Sequence, residues 1–123
     1  MMRVLFIGDI MGRPGREAAA RALPILRAEY GGFDFVIANG ENSAGGFGLT
    51  EKVMNELFSI GIDILTNGNH IWDKKDFVPL LDTEPRVLRP ANHSEGTPGR
   101  GFAVYENNGH KLAVLCLQGR VFM

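Results

Sequence analysis

The stretch IDILTNGNH, residues 62–70, joins a short apolar run to a glycine, an amide and an imidazole. A continuous apolar run of this length, bounded by glycine, predicts a buried β-strand over residues 62–67. Two earlier runs, residues 3–8 and 34–39, predict strands that end beside a glycine in the same way. These three strands, and the polar residues that follow each of them, determine the expected fold.

Segments that are predicted to form helices alternate with the predicted strands. Residues 14–30 predict a helix that Pro24 should kink or split, because proline removes a backbone donor. Residues 50–60 predict a second helix with Thr50 as its N-cap. A third helix is expected over residues 73–82, capped by its first residue.

The spacing of the apolar residues changes in the last part of the chain. Residues 101–119 predict a β-hairpin, because Asn108-Gly109 is a strong two-residue turn signal. We expect its strands to extend a mixed sheet. Alternating strands and helices with continuously apolar strands indicate an α/β fold: a largely parallel sheet covered by helices, with a late β-hairpin.

Composition and charge exclude several classes of function. The formal net charge of −1 argues against general nucleic-acid binding, since no broad basic surface is available. No apolar run approaches the length of a membrane span, so no membrane partner is expected. The single cysteine, Cys116, cannot form an internal disulfide, and its apolar neighbours predict a buried, unreactive thiol. We therefore expect a reducing, cytoplasmic location.

Polar side chains follow all three predicted strands. Asp9 follows the first strand, Glu41 and Asn42 the second, and Asn69 and His70 the third. In an open α/β sheet, ligands bind outside the carboxyl ends of the strands, so these side chains should converge on one rim. Carboxylate, amide oxygen and imidazole suit manganese, iron or zinc. A glutamate that bridges two metals would form a centre for in-line phosphoryl displacement.

Simpler interpretations exist for each residue alone. Asp9 could cap a helix, Asn42 could serve a turn, and His70 could lie on the surface. The coincidence of all three strand ends favours a shared site instead. Other ligand motifs fit less well: GDIMGRPG lacks the dinucleotide spacing, GGFG at 45–48 is too short for a phosphate loop, and no serine lies in a G-x-S-x-G context.

The strand-end motifs GD, GEN and GNH resemble those of the calcineurin-like metallophosphoesterases. The usual D-x-H of that superfamily is replaced here by Asp9-Ile10-Met11. FIGDIMGRPGR, ANGENSAGGFGLT, GNHIWDKK, RPANHSEGTPGRG and LQGRVF together resemble the bacterial 2′,3′-cyclic-nucleotide 2′-phosphodiesterase family. This resemblance implies a metallophosphoesterase-type α/β sandwich.

The resemblance also implies a role for each residue of the rim. Asp9 would bind the first metal with help from Asn42, and Glu41 would bridge both metals. Asn69 would bind the second metal and orient the phosphate, and His70 would donate a proton to the leaving oxygen. The implied cofactors are two divalent metal ions, iron or alternatively manganese. The implied reaction is attack of metal-bound hydroxide on a small phosphodiester, a 2′,3′-cyclic nucleotide.

Members of this family are considerably longer and carry further histidines in their later half. Residues 1–123 are therefore expected to be the N-terminal portion of a single metallophosphoesterase domain, incomplete at the C-terminus. Exposed apolar surface should lead to self-association or be covered by a missing C-terminal half. Two hypotheses stay open: a phosphodiesterase as the complete protein, or a catalytically incomplete fragment that acts as a non-catalytic metal-binding, nucleotide-binding or assembly module.

Several other residues carry weaker functional signals. Trp72 could stack on a base, although packing is the favoured interpretation. His93, in the Gly/Pro-rich loop of residues 89–101, is expected to be solvated. Three arginines in Gly/Pro-rich segments are candidates for contact with a substrate phosphate: Arg89, Arg100 and Arg120.

Overall fold

A computed structural model describes residues 1–121 of the chain. Phe122 and Met123, which end the predicted C-terminal apolar stretch and the predicted domain, lie outside the described residues. Two 3-10 turns, Asn69–Trp72 and Lys75–Phe77, follow the third strand. The strands and helices are β1 Val4–Asp9, α1 Gly12–Tyr30, β2 Phe35–Asn39, α2 Glu51–Ser59, β3 Ile64–Thr66, α3 Leu80–Thr83, β4 Phe102–Asn107 and β5 His110–Leu115.

The first three strands form a parallel sheet in the order β1-β2-β3, as predicted. Asn39, the last residue of β2, pairs with Asp9 of β1 on one side and with Thr66 of β3 on the other. The three strands therefore end at the same level. Whatever follows each of them starts from one edge of the sheet.

Side chains of β2 alternate between two apolar cores, which confirms the α/β sandwich. Val36 lies on the face covered by the helices, in a cluster with Leu23 of α1 and Leu57 of α2. Ile37 lies on the other face, where it packs with Val114 of the hairpin. Both faces of the central strand are covered, which is why its sequence is continuously apolar.

The hairpin was predicted correctly, but its place in a mixed sheet was wrong. Asn108 and Gly109 both adopt positive φ, 51° and 76°, as a type I′ turn requires. Within residues 1–121, β4 and β5 pair only with each other. One face of the hairpin packs on the parallel sheet, so the hairpin forms a separate layer instead of extending it. The side chains of this face are Ala103, Tyr105, Leu112 and Val114.

Two helix predictions also differ from the structure. Residues 73–82 form a 3-10 turn and the single-turn helix α3, not one long helix. Asp73 caps no helix start: its N–H closes the preceding turn by donating to the His70 carbonyl, 3.1 Å away. Pro24 does not divide α1, because it lies on the exposed side while the neighbouring Leu23 anchors the helix in the core.

Apolar side chains remain exposed on β1 and around the hairpin, as the sequence led us to expect. The exposed side chains on these strands and just after β5 include Phe6, Val104, Leu115 and Leu117. What covers them stays a prediction.

Within the described residues, no helix is both long and apolar enough to cross a bilayer.

Gly101 provides a test of the contact between the long loop and the hairpin. A Cβ at Gly101 would lie 2.5 Å from the backbone nitrogen of Ala91, whereas a Cβ at Gly119 would meet nothing within 4 Å. We expect Gly101→Ala to lower the free energy of unfolding by about 1–3 kcal/mol, because such overpacking forces the backbone to shift. Urea denaturation should show this loss, with Gly119→Ala close to wild type. Equal midpoints for the two variants would contradict the packing.

Candidate metal centre

Asp9 and Asn42 are held together at the ends of β1 and β2. The Asn42 side-chain nitrogen donates to both carboxylate oxygens of Asp9, each at 3.0 Å. The Asn42 carbonyl also accepts from the Gly12 N–H at 2.9 Å, which fixes the loop to the start of α1. The amide oxygen Oδ1 of Asn42 is buried and has no partner among the described residues.

A buried amide oxygen that accepts no hydrogen bond lowers the stability of the fold. The groups around it therefore indicate what kind of partner is missing. Asn42 Oδ1 belongs to the same side chain that contacts the Asp9 carboxylate. In the structure the amide nitrogen faces Asp9, so the amide must turn over for Oδ1 to join the carboxylate. Carboxylate and amide oxygens are ligands that suit a hard or borderline divalent cation. Asp9 and Asn42 could therefore hold a metal once the amide has turned, and their role as ligands stays a prediction.

Glu41 joins the end of β2 to the segment after β3. Its Oε2 accepts from the backbone N–H of His70 at 3.1 Å, and its Oε1 accepts from the Asn39 side-chain nitrogen at 3.3 Å. The carboxylate lies against the backbone of Gly68: a Cβ there would come within 2.6 Å of Oε2. A glycine is needed at residue 68 because the Glu41 carboxylate occupies the space of its side chain.

The His70 side chain is constrained at one ring nitrogen. Its Nδ1 lies 2.8 Å from the Asp73 carboxylate, and the imidazole stacks on the Phe47 ring. No residue between 1 and 121 bonds to Nε2. If Nδ1 donates to Asp73, Nε2 is the nitrogen left to face a ligand.

Glu41 and Asn69 line one open cleft of about 460 Å³. Its walls come from the ends of β2 and β3 and from the segment after β5, including Gln118. The other three predicted residues, Asp9, Asn42 and His70, also lie at the strand ends but do not line this cleft. However, no three His, Cys, Asp or Glu side chains cluster as a metal site within the described residues. Complete metal coordination thus stays a prediction.

Sequence reasoning missed two contributors to the rim, the partly exposed Asn39 and the buried Asn67. Asn39 hydrogen-bonds Glu41, and its only signal was its position as the last residue of a buried strand. Asn67 is 2% exposed, and its amide nitrogen donates to the Leu88 carbonyl at 2.9 Å while Oδ1 is unpartnered. The Cys116 thiol donates to the Asn67 carbonyl, and burial raises the pKa of that thiol, in keeping with the predicted unreactive cysteine.

The weaker candidates are mostly structural. Trp72 packs edge-on against His93, with ring centroids 5.3 Å apart, so Trp72 packs as favoured, and His93 is half-buried where solvation was expected. The Arg89 guanidinium is occupied within its own loop, which argues against a role with a substrate phosphate. It donates to the carbonyl groups of Pro90, Thr97, Pro98 and Gly99.

The sequence of this chain is similar to known proteins along nearly its whole length. A family model described as YmdB-like protein matches residues 5–123. The 2′,3′-cyclic-nucleotide 2′-phosphodiesterase of Bacillus subtilis is 49% identical over 122 residues, which cover 99% of this chain and 46% of that protein. The chain therefore spans about half the length of the curated relatives it matches.

Two solved structures share the fold. A hypothetical protein from Thermus thermophilus superposes with a TM-score of 0.89 at 47% identity, covering 99% of this chain and 47% of that one. A novel phosphatase from Mycoplasma pneumoniae superposes with a TM-score of 0.87 at 31% identity, covering 96% and 43%. At these identities the likeness extends beyond the fold to the sequence.

The position of the Glu41 carboxylate can be tested without any ligand. In Gly68→Ala the new methyl group would displace the carboxylate and break its bond to the His70 N–H. We expect the protection of that amide against hydrogen exchange to fall about tenfold or more, since a bond to a charged group contributes about 1.5–3 kcal/mol. Gly8→Ala is the matched control, because a Cβ at Gly8 meets nothing within 4 Å. Unchanged protection in Gly68→Ala would refute this geometry.

Proposed function

Because the chain belongs to the YmdB-like protein family, we propose that it forms the N-terminal portion of a phosphodiesterase domain. Its substrate would be a small phosphodiester, a 2′,3′-cyclic nucleotide, as in the name of the Bacillus subtilis relative. The observation that carries the proposal is the Glu41 carboxylate, which is held between the end of β2 and the His70 backbone.

The rim residues would hold two divalent metal ions, iron or manganese. Asp9 and Asn42 would hold the first ion. The unpartnered Oδ1 of Asn42 supports this role, although its amide would have to turn, since its nitrogen now donates to Asp9. Glu41 is the bridging ligand, and Asn69, which lines the same cleft, is a ligand of the second position. When bound, the cations supply positive charge that offsets the charge developing on the phosphoryl oxygens.

His70 is the proton donor in this proposal. As a hydroxide ion bonds to phosphorus, the P–O bond to the leaving group breaks and its electron pair stays on the leaving oxygen. That oxygen takes the proton from Nε2 of His70, which starts as the imidazolium. The imidazole is left neutral, with Nδ1–H still donating to Asp73. Histidine serves this role well because its proton transfer operates near neutral pH. Asp73 orients the ring by holding Nδ1.

A second candidate function is a non-catalytic module that binds a metal or nucleotide, or acts by assembly. The absence of a three-residue metal cluster within residues 1–121 favours it for this chain by itself. Turnover by the purified, metal-loaded chain would exclude this alternative. Turnover confined to the complete gene product would mean that further residues complete the site.

Proposals about the partners and the cellular location rest on the exposed surface, the net charge and the cysteine. The exposed apolar side chains of β1 and the hairpin support burial against a C-terminal half or a second copy of the chain. The net charge of −1 supports a small-molecule partner over general nucleic-acid binding. A cytoplasmic location is proposed from the single buried cysteine.

Glu41→Gln tests the enzymatic proposal. The substitution keeps the size of the side chain but removes the charge that a bridging ligand needs. In the complete gene product we expect turnover of 2′,3′-cyclic AMP and affinity for Mn²⁺ each to fall by about 100-fold or more, as losses of metal-site contacts do. Glu106→Gln, on the exposed side of β4, is the control and should match wild type. Wild-type turnover in Glu41→Gln would contradict the proposal.

A further inference from the structure

Phe47 has an unusual position for a largely exposed aromatic residue. It lies near the end of the loop of residues 41–48, between β2 and α2, and is 57% exposed. Its ring nevertheless stacks on the His70 imidazole, with centroids 4.1 Å apart and an angle of 14° between the planes. Such stacking contributes beyond simple burial and fixes the relative orientation of two rings.

The loop that carries Phe47 is fixed at its base. The Gly48 N–H donates to the Glu41 carbonyl at 2.5 Å, and the Ala44 N–H donates to the Gly48 carbonyl at 3.3 Å. Gly48 has a φ of 91° and lies against Lys74, whose Cγ is 2.5 Å from where a Cβ would be. Phe47 is therefore presented by a closed loop that packs against the segment containing His70.

Three contacts then hold His70 from different sides. Glu41 accepts from its backbone N–H, Asp73 lies at Nδ1, and Phe47 covers one face of the ring. The imidazole turns about its χ1 and χ2 bonds, and the Asp73 contact restricts this turning only through one ring nitrogen. Stacking on Phe47 narrows the remaining range of χ2, because a change in χ2 would tilt the imidazole out of the parallel arrangement.

We propose that Phe47 is a positioning residue, which fixes the plane of the His70 imidazole so that Nε2 faces the leaving oxygen. This inference rests on the proposed function and adds a residue to it. Phe47 takes no part in bond making: the proton passes from His70 Nε2 to the leaving oxygen as its bond to phosphorus breaks. Its contribution is geometric, and small misplacements of a proton donor are costly to rate.

A positioning role predicts dependence on the leaving group. An alkoxide, such as the ribose oxygen released from a 2′,3′-cyclic nucleotide, needs the proton, whereas 4-nitrophenolate leaves without one. In the complete gene product, Phe47→Ala should lower kcat on 2′,3′-cyclic AMP by about 10–100-fold, which is part of the roughly 100–10,000-fold that a proton donor contributes. On bis(4-nitrophenyl) phosphate its kcat should stay within about twofold of wild type.

Two matched variants accompany Phe47→Ala. Phe47→Tyr keeps an aromatic ring and should restore kcat on the cyclic nucleotide. Tyr30→Ala removes a similarly exposed ring, 52% exposed, from the end of α1 and should not change either rate. Equal losses on both substrates, or an effect confined to KM, would overturn the inference, because Phe47 would then contact substrate or act only in folding.

A measurement without turnover separates this inference from the proposed function. In NMR spectra of the metal-free chain, the His70 ring protons should show a ring-current shift and nuclear Overhauser contacts to Phe47. Both should vanish in Phe47→Ala and persist in Phe47→Tyr. Their absence in wild type would overturn the positioning role even in an active enzyme. Their presence in a protein that cleaves no phosphodiester would overturn the proposed function and, with it, the role for Phe47 in catalysis.

Discussion

The level register of the three parallel strands is the constraint on which the site depends. Asn39 pairs with both Asp9 and Thr66, so the backbone leaves all three strands at one height. A slip of one residue would move a strand end by about 3.3 Å and turn its side chains to the other face. Glu41 could then no longer reach the His70 N–H across the end of β3. The alternating apolar faces of β2 specify this register, because each face packs into its own core.

Local signals in the sequence were enough to predict most elements. The buried strands were readable from their apolar runs, the cap at Thr50 from its hydroxyl, which accepts from the Val53 N–H, and the hairpin turn from Asn108-Gly109. The errors have two causes: a neighbouring side chain engages Asp73, and contacts between distant segments place the hairpin. Aspartate is a residue type that often caps a helix, but the carboxylate of Asp73 is hydrogen-bonded to the imidazole of His70 instead. The hairpin forms a separate layer because both faces of the parallel sheet must be covered, and no local pattern states which layer a strand joins.

The site shows the same division between local and distant information. Polar residues at strand ends are visible in the sequence, and topology alone indicates that they share an edge. The need for glycine at residue 68 is not visible, since it comes from a carboxylate 27 positions earlier in the chain. Phe47 could not be predicted either, because its partner lies on another segment. The contacts between the loop after β2 and the turn after β3 thus give the rim its specific geometry.

The central claim is that the three strand ends form a divalent-cation site, and paramagnetic broadening by Mn²⁺ tests it most directly. The ion would be titrated into the metal-free, isotopically labelled chain at concentrations well below one equivalent. The account predicts that the signals of Asp9, Glu41, Asn42 and Asn69 broaden first and together. It would be contradicted if broadening began at other acidic positions, such as Glu95 in the Gly/Pro-rich loop, or if the strand ends stayed sharp while Mn²⁺ was in excess.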